Sequence, residues 1–122
     1  MKKAGQKILI VDDNRFFATR LRQLLRDSET AEDISLADNY EDALSYLTKH
    51  KPEIVLLDVH LRNKNGIDLL KLIHLSGWAC KVVMLTNETK SAYRTQCEKF
   101  GSSAFLDKSN DFEEIPELIR EL

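Results

Sequence analysis

Lys7-Ile8-Leu9-Ile10-Val11-Asp12-Asp13 and Glu53-Ile54-Val55-Leu56-Leu57-Asp58 share one design: a short aliphatic run that ends on carboxylate. Unbroken runs rich in branched aliphatics read as strands buried on both faces, the state of inner strands in a parallel sheet. Between them, Phe17, Leu21, Leu24 and Leu25 fall at helical spacing, with Arg15, Arg20, Arg22 and Arg26 mostly off that face. Ile34 and Leu36 alternate with polar neighbours as a short edge-like strand. Tyr40, Ala43, Leu44 and Leu47 make a second helical stripe, capped at Asp38 or Asn39 and closed before Pro52.

Beyond Asp58 a polar loop runs to Gly66, and Ile67, Leu70 and Ile73 predict a third helix that stops near Gly77. Lys81–Thr86 reads as strand four; Tyr93, Cys97 and Phe100 lie along a fourth helix ended by Gly101. Ala104-Phe105-Leu106 is a short fifth strand, and Phe112, Ile115, Leu118, Ile119 and Leu122 mark the last helix, with Pro116 tolerated near its first turn. Strict alternation of strand and helix implies an α/β, doubly wound, five-stranded parallel sheet with helices on both faces. The flavodoxin-like order 2-1-3-4-5 is the expected one, and its ligand site lies beyond the carboxyl ends of strands one and three. Asp12, Asp13 and Asp58 stand at those two ends.

The 122 residues suit one domain spanning 1–122, and no repeat, low-complexity stretch or linker divides them. A net charge of −2 supplies no basic field for nucleic acid or an anionic membrane, and the apolar runs are too short to span a bilayer. The Met1-Lys2-Lys3 start is not expected to act as a signal peptide, because Asp12 and Asp13 cut off the apolar run that follows it. A cytoplasmic location is the expectation. Cys80 and Cys97 lack metal-type spacing and read as free, buried thiols.

Carboxylates crowded at one sheet edge repel: at about 4 Å and an effective dielectric near 20, each pair costs roughly 4 kcal/mol. Either a proton stays on, or a cation compensates. Hard oxygen ligands in an incompletely filled shell favour magnesium. Capping of the first helix by Asp12 or Asp13 is the plainer alternative, but it leaves the third aspartate unexplained. Thr86 closes strand four and Lys108 follows strand five. A hydroxyl and an ammonium beside a carboxylate–cation pair are what phosphoryl oxygens require.

These positions together resemble the bacterial two-component response-regulator receiver domain: Asp12-Asp13, Asp58, Gly66 eight residues on, Thr86 and Lys108, in order, from Lys7 to Leu122. The resemblance implies that Asp58 accepts a phosphoryl group from phosphohistidine on a sensor histidine kinase or a histidine phosphotransfer protein. It implies a magnesium ion held by Asp12, Asp13, Asp58 and the backbone carbonyl of His60. Lys108 would pair with Asp58 at rest and with the phosphoryl oxygens afterwards. Thr86 and the aromatic Phe105 would be the switch residues. A face comprising the fourth helix, strand five and the fifth helix, with Tyr93, Lys99, Phe105 and Glu113 as contributors, would engage a downstream effector protein or a fused output domain.

The sequence departs from the family pattern at several places. Arg62 stands where many receivers have proline, which predicts a less rigid loop after Asp58. Asn87 is bulkier than the usual residue after the switch threonine, and Phe105 lacks the tyrosine hydroxyl many relatives carry. Ser109 replaces a common proline, so a trans peptide is expected after Lys108. His60 and Glu88 occupy the positions that tune acyl-phosphate lifetime in the family. Two other readings stand beside the phosphoacceptor: a degenerate receiver serving as a constitutive interaction module, and a haloacid-dehalogenase-type magnesium phosphohydrolase. The first expects a missing acid or lysine; the second expects an Asp-x-Asp on strand one and a cap domain. Neither pattern is present. Whether the chain stands alone or is a fragment of a longer regulator stays open.

Overall fold

The computed structural model describes residues 6–62, 64–87 and 91–122. Glu88 and the Met1-Lys2-Lys3 start lie outside them. Five parallel strands, β1 (Lys7–Val11), β2 (Asp33–Ala37), β3 (Ile54–Asp58), β4 (Lys81–Thr86) and β5 (Ala104–Asp107), form one sheet in the order β2-β1-β3-β4-β5. The helices between them are α1 (Arg15–Asp27), α2 (Tyr40–His50), α3 (Gly66–Ser76) and α4 (Ser91–Lys99). The last helical segment enters through a 3-10 turn at Phe112–Glu114 before α5 (Ile115–Glu121), with Pro116 in the first turn of α5. That entry is a difference from the single helix expected from Phe112 onward.

The aliphatic runs explain the layering. Successive side chains of a strand point to opposite faces. Leu9, Val11, Val55 and Leu57 therefore pack with Ala43, Leu47, Ile67, Leu70, Ile73 and Cys97 from α2, α3 and α4. Ile8, Ile10, Ile54 and Leu56 pack on the other face with Phe17, Leu21, Leu25, Ile115 and Ile119 from α1 and α5. Strands β1 and β3 thus lie at the centre of both cores, which is why neither shows the polar alternation that β2 shows. Cys97 is buried and Cys80 half-buried; both thiols are free, and burial pushes each up to about 11. No helix among the described residues is long and apolar enough to cross a membrane.

Helix ends follow their local chemistry. Asn14 caps α1, its side-chain oxygen accepting from the Phe17 amide at 3.0 Å. Asp12 and Asp13 therefore do not cap the helix. Asn39 caps α2, accepting from Asp42, and Gly77 closes α3 at φ 69°.

The return from β3 into α3 is tight. Gly66 donates its amide to the Val59 carbonyl at 2.6 Å, and His60 bridges Asn65 in antiparallel fashion. A Cβ at Gly66 would sit 1.9 Å from the Asp58 carbonyl oxygen, against backbone that has no room to move. The two ends of the loop that carries Arg62 are thus fastened to each other without proline. Gly66→Ala is expected to lose about 3 kcal/mol of stability, the upper range for overpacking against fixed atoms. Urea unfolding followed by the single tryptophan, Trp78, checks this; a variant as stable as the parent would mean the loop relaxes freely.

Candidate functional site

The order of the sheet sends the chain from β1 to β2 on one side and to β3 on the other, so a crevice opens between the ends of β1 and β3. Asp12 follows β1 and donates its amide to the Ala37 carbonyl at 3.0 Å, while Asp58 is the last residue of β3. Carboxylate oxygens of Asp12, Asp13 and Asp58 lie within 4.8 Å of one another. Asp12 and Asp58 are buried, and Asp13 is the more open of the three.

Each buried carboxylate is fastened the same way. One Asp12 oxygen accepts from the Asn14 amide at 2.8 Å, and one Asp58 oxygen accepts from the His60 amide at 3.1 Å. Both are turns in which the side chain reaches the backbone two residues on. The second oxygen of each faces Lys108. Its Nζ lies 2.6 Å from Asp12 Oδ2 and 3.4 Å from Asp58 Oδ2, and the ammonium rests 4.4 Å from the centroid of the Phe17 ring. The lysine is as buried as its partners. At rest it therefore sits closer to Asp12 than to the expected Asp58. Among the described residues it is the one ammonium paired with these carboxylates.

The remaining negative charge registers on Asp58. Its carboxyl is pushed up from 3.8 to about 6, first by burial and then by the Asp12 charge; Lys108 and the His60 amide pull the other way. Thr86 ends β4, fully buried, and its carbonyl accepts the Lys108 amide at 2.9 Å. Phe105 is buried in the core of the α2–α4 side, with the Arg94 guanidinium 4.8 Å from its ring centroid. The His60 ring meets Tyr93 of α4 edge to face, with centroids 5.3 Å apart. The residues singled out from sequence thus converge on one edge, apart from Phe105, which lies under Arg94.

Phe16 and the Asp107–Asp111 pair escaped the sequence reading. Phe16 is 74% exposed on α1, and Arg20 lies across both Phe16 and Phe112. With Asn14, Asn87 and Lys108 they line a cleft of about 410 Å³. An aromatic beside the helical stripe rather than on it was the available signal for Phe16. Asn87 stands on the rim of this cleft, 3.5 Å from the Ser109 hydroxyl.

A family model for the response regulator receiver domain matches residues 8–120. The chain is 35% identical over 112 residues to a protein-glutamate methylesterase/protein-glutamine glutaminase of Idiomarina loihiensis, covering 89% of this chain and 28% of that protein. It is 28% identical over 116 residues to the response regulator GacA of Pseudomonas aeruginosa, covering 95% of this chain and 54% of that one. The chain therefore spans about half or less of these relatives' length. The fold matches that of a CheY-like receiver domain protein from Methanospirillum hungatei with a TM-score of 0.87 at 22% identity, over 95% of this chain and 91% of that one.

The buried carboxyl has a consequence for stability. Because the folded protein holds the Asp58 proton more tightly than the unfolded chain does, the stabilisation is full below the ordinary carboxylate range. It is lost as pH rises through about 6. In magnesium-free buffer near neutral pH, Asp58→Asn is expected to be more stable than the parent, by up to about 3 kcal/mol. The gain shrinks as pH falls from about 6 toward 3.8, over which the parent carboxyl recovers its proton. Urea titrations across that range check it; a gain independent of pH would contradict it.

Proposed function

This chain belongs to the response regulator receiver domain family, and we propose that Asp58 is its phosphoacceptor in a magnesium-dependent phosphorelay. The observation that carries the proposal is the cluster of Asp12, Asp13 and Asp58 with a single buried ammonium among them. Such a donor set of hard, anionic oxygens fits a divalent cation that keeps part of its water. Asp12, Asp13 and Asp58 would hold magnesium, with the His60 backbone carbonyl as a further oxygen. The ion would supply neutralisation of charge where phosphoryl oxygens gather.

An Asp58 carboxylate oxygen attacks phosphorus in line. The new P–O bond forms as the P–N bond to a donor imidazole breaks; the electron pair leaves with that nitrogen, and a proton already on the other ring nitrogen lets the imidazole depart neutral. Lys108, already poised between two carboxylates, follows the transferred charge onto the phosphoryl oxygens, and Thr86 donates its hydroxyl to the same group. Water later attacks phosphorus and releases inorganic phosphate, which restores the carboxylate. Little covalent work falls to the protein; positioning and charge compensation supply the acceleration.

Donors would be a sensor histidine kinase or a histidine phosphotransfer protein, acting in the cytoplasm. The cleft rimmed by Phe16, Arg20 and Phe112 opens beside Lys108 and would give the donor a seat next to the acceptor. A downstream effector, or an output domain in a longer protein, would read the α4–β5–α5 face. Tyr93 contributes to that face and also touches His60.

Incubation with acetyl phosphate and magnesium, read by intact mass, is expected to add one phosphoryl group to the parent and none to Asp58→Ala. Label on that variant would move the acceptor elsewhere, and continuing turnover of a phosphomonoester would indicate a phosphohydrolase instead. Asp13→Ala is expected to raise the magnesium concentration for half-maximal labelling by about tenfold or more. An unchanged titration removes Asp13 from the ligand set.

A further inference from the structure

Lys108 carries its charge at the end of four rotatable bonds, so its ammonium is only as well placed as the backbone from which it starts. That backbone lies where β5 runs out into an exposed loop, Ser109-Asn110, which has no proline and, like the rest of the described chain, no cis peptide. Two carboxylates restrain it. One Asp107 oxygen accepts from the amides of Ser109 and Asn110, both at 2.8 Å. The Asp107 amide donates to Asp111 Oδ2 at 2.8 Å, and the Asp111 amide returns a bond to the Asp107 carbonyl at 3.0 Å. Asp111 stands at the head of the Phe112–Glu114 turn, yet its side chain makes no cap there and reaches back instead. On the other side, the Lys108 amide is held by Thr86.

We propose that Asp107 is a positioning residue for Lys108, fixing through the Asp107–Asp111 clamp the stretch of backbone from which the ammonium reaches Asp12 and Asp58. The inference rests on the phosphoacceptor reading given above. Hydrogen bonds from amides to an ionised carboxylate are shorter and roughly twice as strong as neutral ones, which suits a loop open to water. The charge of Asp107 is directed into Ser109 and Asn110, so it serves the loop and not the metal cluster. Phe17 fixes the far end of the same lever, lying 4.4 Å beneath the ammonium. Between a clamped start and a ring at the finish, the lysine has little latitude. A misplacement near 1 Å at a reacting centre costs up to about a hundredfold in rate.

The test compares labelling of Asp58 by acetyl phosphate at saturating magnesium in the parent, Asp107→Ala, Asp107→Asn, Lys108→Ala and the Asp107→Ala/Lys108→Ala double variant. Asp107→Ala is expected to lower the maximal rate about tenfold. Asp107→Asn keeps the oxygen that accepts both amides and should stay within about twofold of the parent. On the Lys108→Ala background, Asp107→Ala should cost nothing further, because a residue that acts only through the lysine has nothing left to position.

A parental rate in Asp107→Ala overturns the inference. So does a full further loss in the double variant, which would make the clamp a general structural element. If Asp107→Ala does not fold, Asp111→Ala removes one bond of the clamp and carries the same comparison with a smaller loss; a parental rate there overturns the inference equally. A parent that takes no label on Asp58 overturns the phosphoacceptor reading and this inference together, whereas a labelled parent with an indifferent Asp107 overturns this inference alone.

Discussion

One ammonium shared between two buried carboxylates governs this molecule. Lys108 lies 2.6 Å from Asp12 and 3.4 Å from Asp58, and Asp13 adds a third carboxylate to the same cluster. Among the described residues a single positive charge faces three negative ones, and burial denies Asp12 and Asp58 the dielectric screening that water gives at a surface. Burial first, and the Asp12 charge after it, push the Asp58 carboxyl up to about 6. A divalent cation held by the three carboxylates, as proposed, would relieve the same deficit. Stability and chemistry therefore draw on one electrostatic fact with opposite signs.

Backbone geometry keeps that imbalance from relaxing. Parallel register brings the ends of β1 and β3 side by side, and the local turns at Asp12 and Asp58 tie one oxygen of each to an amide two residues later. Neither carboxylate can swing out to water without breaking that bond. Asp107 at the end of β5 makes the same turn with Ser109, so three strand ends repeat one device. At Asp12 and Asp58 it holds a charge in place; at Asp107 it holds the neighbouring lysine's backbone.

Much of this was legible in the residues themselves. The unbroken runs Ile8–Val11 and Ile54–Leu57 report central strands because only burial on both faces accounts for them, and the alternation of elements then leaves few topologies. The carboxylates, Thr86 and Lys108 could be placed at one edge because each directly ends or follows a strand. What depends on rotamers could not be read. Nothing in the sequence says that Lys108 pairs with Asp12 as well as with Asp58, or that it lies nearer the former, since that turns on distances of less than an ångström. The sequence offered Asp12 or Asp13 as the cap of α1 and passed over Asn14, whose side chain accepts from an amide equally well; Asn14 takes the cap, and the acids are released for the site. The Asp107–Asp111 clamp looks in sequence like ordinary loop polarity, and the 3-10 entry into α5 leaves no periodic trace over three residues.

The placement of the site at the ends of the two most buried strands also explains how the fold tolerates it. An ionised, buried Asp58 costs stability, and a looser scaffold would recover that loss by letting the strands drift apart. Ile8–Val11 and Ile54–Leu57 are almost wholly removed from solvent and interlock with helices on both faces. Moving either strand would open voids in two cores at once, and each buried methylene exposed costs about 0.8 kcal/mol. Separation of the two strands would therefore set a cost in both cores against the repulsion it relieves. Gly66 adds a covering backbone against the Asp58 carbonyl, which closes the remaining direction of escape. The core holds the charges together, and the only relief left is the binding of a proton or a cation.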